Sequence, residues 1–139
     1  MLHAMNPAIS LKNVHLTLPS RAGDVDILRG AALTVLPGEA VGVVGPSGSG
    51  KTTLLMVIAG LEQASSGMVE VAGQSLKGRG EDWLAAFRRD HVGIVFQSFH
   101  LIPTMTALEN VAMPLEFRGV DNAMDVAREK LERVGLGHR

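Results

Sequence analysis

No cysteine and no tyrosine occur in this chain of 139 residues. The first absence excludes disulfides and thiolate metal sites, and it permits a reducing compartment. The second leaves few rings for stacking on a planar ligand: one tryptophan (Trp 1) and a handful of phenylalanines (Phe 4). An excess of charge of either sign is missing too. Lys and Arg total 13, Asp and Glu total 14, and the formal net charge is −1. That balance carries no electrostatic footprint for nucleic acid or for a bare anionic membrane, so no nucleic-acid partner is expected. Long apolar runs are absent. The longest, Leu54 to Leu61, falls far short of the ~20 residues of a spanning helix. Any membrane association is therefore expected to run through a partner protein. The opening MLHAMNPAIS has no basic stretch followed by an apolar one, so it is not a secretory signal. Met1 and Met5 are both compatible starts.

What remains is a globular composition. Apolar residues make up 46%, ordinary for a folded domain, and the length suits a single domain with a core of useful size. Ile9 to Lys12 and Val14 to Leu18 alternate apolar and polar residues, as half-buried strands do. Pro19 to Asp24 reads as a loop. Val25 to Leu28 and Ala32 to Leu36 resume strand character, and Pro37-Gly38 is a turn signal. Ala40 to Val44 is a short β-branched run, as expected of a strand covered on both faces in a parallel sheet. A helix is predicted over Lys51 to Leu61, ending near Gly60. Ser65 to Gly67 reads as a turn and Met68 to Gly73 as a strand. Glu81 to Asp90 is predicted helical, with Trp83, Leu84 and Phe87 forming a packing stripe. Val92 to Phe96 is a second buried-strand expectation, and Ser98 to Thr104 a loop. Thr106 with Glu109 three residues on is a capping-box pattern opening a helix to Phe117. Pro114 is expected to kink that helix or end it early. Asp121 to Val134 is amphipathic, with Ala123, Val126, Ala127, Leu131 and Val134 on one face, and Gly135 and Gly137 stand where a helix stops.

Between the Ala40 to Val44 run and the following helix stands GPSGSGKTT, residues Gly45, Pro46, Ser47, Gly48, Ser49, Gly50, Lys51, Thr52 and Thr53. It fits G-x-x-x-x-G-K-[ST], a phosphate loop. A polyphosphate needs several donors converging on one point, and main-chain N–H groups supply them where side chains do not block the approach. The helix beginning near Lys51 turns its unpaired N–H groups and positive dipole end towards the phosphates. Lys51 reaches the outer phosphate oxygens, the Thr52 hydroxyl suits Mg²⁺, and Thr53 donates to an inner phosphate. The loop alone does not tell ATP from GTP, or hydrolysis from phosphoryl transfer. The histidines, 5 in all (His3, His15, His91, His100 and His138), show no metal-ligand spacing.

Two stretches carry a family resemblance. GPSGSGKTTLLMVIAGLEQASSGMVEVAG is similar to the opening of an ABC transporter nucleotide-binding domain, with phosphate loop, helix and following strand. VGIVFQSFHLIPTMTALENVAMPL is similar to the same family's Q-loop region. Together they resemble ATP-binding subunits of the LolD, MacB and YbbA type, which serve lipoprotein release and related export, with FQSFHLIPTMTALENV pointing towards YbbA. The resemblance implies an α/β fold, a P-loop NTPase-like core with an antiparallel β subdomain, and residues 1–139 as the N-terminal part of one nucleotide-binding domain. It implies MgATP held by Gly45 to Thr53, with Gln97 as the Q-loop glutamine ligating Mg²⁺ or orienting water, beside Thr52. It implies a transmembrane permease subunit docking near Phe99 to Pro103, a second nucleotide-binding subunit forming a homodimer, and a cytoplasmic location on the inner face of the membrane. Read without the family, Gln97 is a polar strand end and Phe99 to Pro103 an apolar loop.

Two departures bear on function. The family offers an aromatic side chain upstream of the phosphate loop for adenine; the matching position here is Leu18 or Leu16, which lacks the aromatic stacking contribution. The LSGGQ signature and the Walker B strand ending in Asp-Glu do not occur in these residues. Ile58 to Glu62 and Ala112 to Glu116 are the nearest apolar runs before an acid, and neither suits a buried strand. The expectation is thus a truncated, incomplete ABC ATPase fold that binds ATP and hydrolyses little alone. Two other readings stay open: a non-catalytic module docking on a permease, and another P-loop enzyme. Against a GTPase stands the absence of N-K-x-D. Against a kinase, Arg88-Arg89 reads as a solvated helix end rather than a lid.

Overall fold

Strand β1 shows how a local irregularity sets the fold. In the computed structural model, which describes residues 6–21 and 23–138, β1 runs Ile9–Ser20 as one element. The two alternating runs of its sequence are out of phase across Asn13. Asn13 adopts a left-handed conformation, φ 49°, and the pairing slips on either side of Val14. The slip is a bulge, and it moves the inward face by one residue. Leu11 before it, and Val14 and Leu16 after it, are consequently all buried. The choice between Met1 and Met5, and His3, fall outside the described residues.

β2 spans Gly23–Val35 and pairs antiparallel with β1 from Ile9 opposite Val35 to Ser20 opposite Gly23. The loop expected at Pro19 to Asp24 is thus mostly strand, and the two strands expected after it are one. β3 spans Ser66–Val71 and pairs with the other edge of β1; β4, Gln74–Ser75, pairs with β3. The sheet order is β2-β1-β3-β4. The turn expected at Ser65 to Gly67 already belongs in part to β3. Gly67 lies over the β1 bulge, with φ +94°, and a Cβ there would stand 2.3 Å from the Asn13 carbonyl oxygen.

Helix α1 spans Lys51–Ile58 and α2 spans Glu81–His91. Leu84 and Phe87 are buried with Leu11, Val14, Leu16, Leu28, Val57 and Val69 in one core. The α2 stripe is therefore packing, as expected, with Trp83 half-buried at its margin. Trp83 and Phe87 stack with ring centroids 5.5 Å apart, and the Arg79 guanidinium lies 4.5 Å from the Trp83 ring. Arg88 is not a solvated helix end. Its Nη1 donates to the Gly60 carbonyl at 2.7 Å, and its Nη2 pairs with Glu81. It ties α2 to the end of α1.

Two expected strands do not form. Neither Ala40 to Val44 nor Val92 to Phe96 pairs with any strand among the described residues. Val44 is 92% exposed and Val95 100% exposed, while Val92 alone packs partly buried against the core. A parallel strand is buried only between neighbouring strands and covering helices, and the four strands described here form a separate antiparallel sheet.

The chain divides into two compact units, one ending at Ile94 and one beginning at Val95. In the second, α3 spans Ala107–Phe117 and packs on α4, Ala123–Arg133. The Thr106 capping box forms as expected: its hydroxyl accepts from the Glu109 N–H at 3.2 Å, and its own N–H donates to Glu109 Oε2 at 2.7 Å. Pro114 does not end α3, which continues to Phe117. On α4, Ala123, Ala127 and Leu131 are buried, whereas Val134, expected on the same face, is 68% exposed. Val134 is the C-cap of α4, and Gly135 follows with φ 76°, so the helical face ends before it.

Candidate functional site

The phosphate loop is shaped by its glycines and by the start of α1. Gly48 and Gly50 have φ 78° and 86°, left-handed values that cost a side-chain-bearing residue. Gly50 is also the N-cap of α1 and is held against β2. A Cβ on it would meet the Ile27 carbonyl oxygen at 3.1 Å and Leu28 Cδ2 at 3.3 Å. No side chain caps α1, and no acidic residue stands in its first turn. The N–H groups of Lys51, Thr52 and Thr53 therefore open the helix ahead of its first internal bond, from Leu54 N to the Gly50 carbonyl at 2.8 Å. Such an end favours an anion.

Lys51 folds back over the loop. Its Nζ donates to the Gly45 and Pro46 carbonyl oxygens at 2.8 and 2.7 Å. Ser49 closes the turn below, its N–H donating to the Pro46 carbonyl at 3.3 Å. Beside the loop opens a cleft of about 470 Å³, bounded by Gly45, Ser49, Gly50 and Lys51 and by Ile27, Arg29 and Ala31 of β2. The β2 contribution was not foreseen. Arg29 carries no motif, and only the hairpin register brings it here.

The structure brings Gly45 to Thr53 together as one loop and helix start, with Thr52 exposed. Gln97 is exposed and belongs to the second unit. Leu16 is buried in the core, Leu18 packs partly buried against it, and neither bounds the cleft. In the second unit Phe99 is 91% and Leu101 62% exposed. The loop that follows is held by Asn110, whose Oδ1 accepts from the Ile102 N–H at 2.8 Å. Its Nδ2 donates to the Ile102, Met105 and Thr106 carbonyls. Sequence reading missed Asn110, because an asparagine in the first turn of a helix gives no sign of which backbone it clasps.

Comparison with known proteins agrees with this architecture. The family model described as ABC transporter matches residues 28–139. The lipoprotein-releasing system ATP-binding protein LolD of Chromohalobacter salexigens is 49% identical over 138 residues, covering 96% of this chain and 58% of its own length. The uncharacterized ABC transporter ATP-binding protein YbbA of Escherichia coli K12 is 49% identical over 118 residues, covering 84% of this chain and 52% of its own. A dimeric structure of the ATP-binding cassette MJ0796, in a post-hydrolysis state bound to ADP and Pi, superposes with a TM-score of 0.82 at 37% identity. It covers 89% of this chain and 56% of that one. The chain spans little more than half the length of these relatives. Phosphate loop, antiparallel sheet and sequence similarity together place it, with an α/β fold in part, in the family of ABC transporter ATP-binding components.

Proposed function

We propose that this chain binds MgATP through Gly45 to Thr53 as part of an ABC transporter's ATP-binding subunit. The observation that carries the reading is Lys51 Nζ on the Gly45 and Pro46 carbonyls, above a helix end with no side-chain cap. An entering phosphate exchanges two neutral acceptors for an anionic one, and charge-assisted bonds are the stronger. The first N–H groups of α1 take further oxygens, and Gly48 and Gly50 keep the main chain open to them. Thr52 would hold Mg²⁺, which neutralises charge on the phosphates when bound, and Gln97 of the second unit is read as the Q-loop glutamine. Residues 1–139 act as part of a single nucleotide-binding domain. By analogy with the relatives, the domain works on a permease, pairs with a second ATP-binding subunit and sits at the cytoplasmic face of the membrane. No helix among the described residues is long and apolar enough to cross a membrane. The exposed Phe99 and Leu101 support docking at Phe99 to Pro103.

These residues hold the phosphate cradle without a Walker B carboxylate or signature motif, so this stretch by itself binds nucleotide and hydrolyses little. A GTPase or kinase reading has less support, given the family. Calorimetric titration with MgATP is expected to show binding that Lys51→Ala weakens at least ~tenfold, with little phosphate released in parallel. Equal binding by the variant would refute the phosphate-loop reading. Rapid release abolished in Lys51→Ala would refute the claim of weak hydrolysis.

A further inference from the structure

We infer that Asn110 is a positioning residue for docking. It holds the segment from Phe99 to Thr106 as a preformed loop, so that a membrane partner meets Phe99 and Leu101 already in place. This deepens the docking reading above and rests on it. One side chain makes four hydrogen bonds to one short stretch of backbone. Asn110 Oδ1 accepts from the Ile102 N–H at 2.8 Å, and Nδ2 donates to the Ile102, Met105 and Thr106 carbonyls at 3.2, 3.1 and 2.9 Å. A carboxamide suits this because it carries an acceptor oxygen beside a nitrogen with two donors. Inside the clasp, the Met105 N–H closes a turn on the Ile102 carbonyl at 3.0 Å. Asn110 and Ile102 are both half-buried, where water competes less for such bonds.

An asparagine serving α3 alone needs no bond beyond its own turn. Here the bonds to Ile102 and Met105 reach back before the N-cap, Thr106. The clasp thus ties the loop to a helix whose first turn the Thr106–Glu109 capping box already fixes. The upstream side is shaped as well. His100 takes a left-handed φ of 49°, which turns the chain between Phe99 and Leu101, and its ring meets Phe96 edge-on with centroids 4.9 Å apart. Phe99 and Leu101 are themselves exposed, so burial does not hold them and the backbone on either side does. A loop fixed in advance binds without the cost of ordering it on contact.

The test joins amide hydrogen exchange of the whole chain with photo-crosslinking in cells from Phe99→p-benzoylphenylalanine. Asn110→Ala is expected to speed exchange of the Ile102 and Met105 amides roughly tenfold, while Leu115 and Glu116 of α3 keep their protection. It is also expected to cut the yield of adducts with an integral membrane protein severalfold. Asn110→Asp keeps an acceptor for the Ile102 N–H but sets a carboxylate against the Ile102, Met105 and Thr106 carbonyls. It is expected to spare Ile102, speed Met105 and lower the adduct as Asn110→Ala does. Unchanged exchange at both amides in Asn110→Ala would overturn the inference. So would an equal loss of protection throughout α3 in both variants, or an undiminished adduct despite faster exchange. If exchange changes as expected but position 99 yields no membrane adduct with Asn110 intact, the docking reading falls, and Asn110's part in docking with it. The clasp itself would stand.

Discussion

Two glycines with similar backbone angles carry different constraints. Gly67 and Gly73 both have positive φ, +94° and +72°. Around Gly73 nothing stands within 4 Å of a built Cβ, while at Gly67 such an atom would lie 2.3 Å from Asn13 O and 2.7 Å from Val14 Cα. Those are backbone atoms of the β1 bulge and cannot swing aside. Gly73→Ala should cost about 1 kcal/mol, the left-handed strain alone. Gly67→Ala should cost about 3 kcal/mol or more, because the sheet has to part as well. Paired denaturant titrations of the two variants check this, and equal losses would refute the bulge-contact account. The phosphate loop was legible in sequence because its chemistry needs fixed residue types at fixed spacing. Arg29 and Asn110 were not, because their roles depend on register and on a loop folding back.

Among the elements, α3 offers the most direct test of local chemistry. Glu109 receives both the N–H and the hydroxyl of Thr106, and those bonds hold its carboxyl below the ordinary glutamate range. Because the folded value is the lower one, the capping contribution is fully present above the unfolded-state pKa. It is lost as pH falls through the depressed one. The Thr106 amide signal in an NMR titration should therefore move with acid below the ordinary glutamate range. Glu109→Gln, which keeps the reciprocal bond without a titrating group, should flatten that response. A transition at or above the ordinary value would contradict the assignment. β1 was legible as two alternating runs, and the structure joins them by the Asn13 bulge. The Val92 to Phe96 run misled for a physical reason. A short apolar β-branched segment states that it wants covering, not whether a neighbour is there to cover it.

At the scale of the whole molecule, apolar surface is distributed unusually. Val44 in the first unit and Val95 in the second stand open, as do Leu55 on α1 and Phe99. Isolated exposed aliphatics are common, but unpaired β-branched segments are templates for association. The 139-residue chain should self-associate at roughly tens of micromolar. Sedimentation velocity should show the species shifting with concentration, and the pair Val44→Lys and Val95→Lys should return it towards monomer. A wild-type monomer throughout that range would count against the account.

The stacking of Trp83 with Phe87, with the Arg79 guanidinium also over its ring, has a spectroscopic consequence. It is the only tryptophan, no tyrosine exists, and the ring belongs to the unit ending at Ile94. Indole emission during a melt thus reports the first unit, while circular dichroism near 222 nm registers α3 and α4 as well. Coincident curves would mean that the two units unfold in one cooperative transition, and separated curves that each has its own.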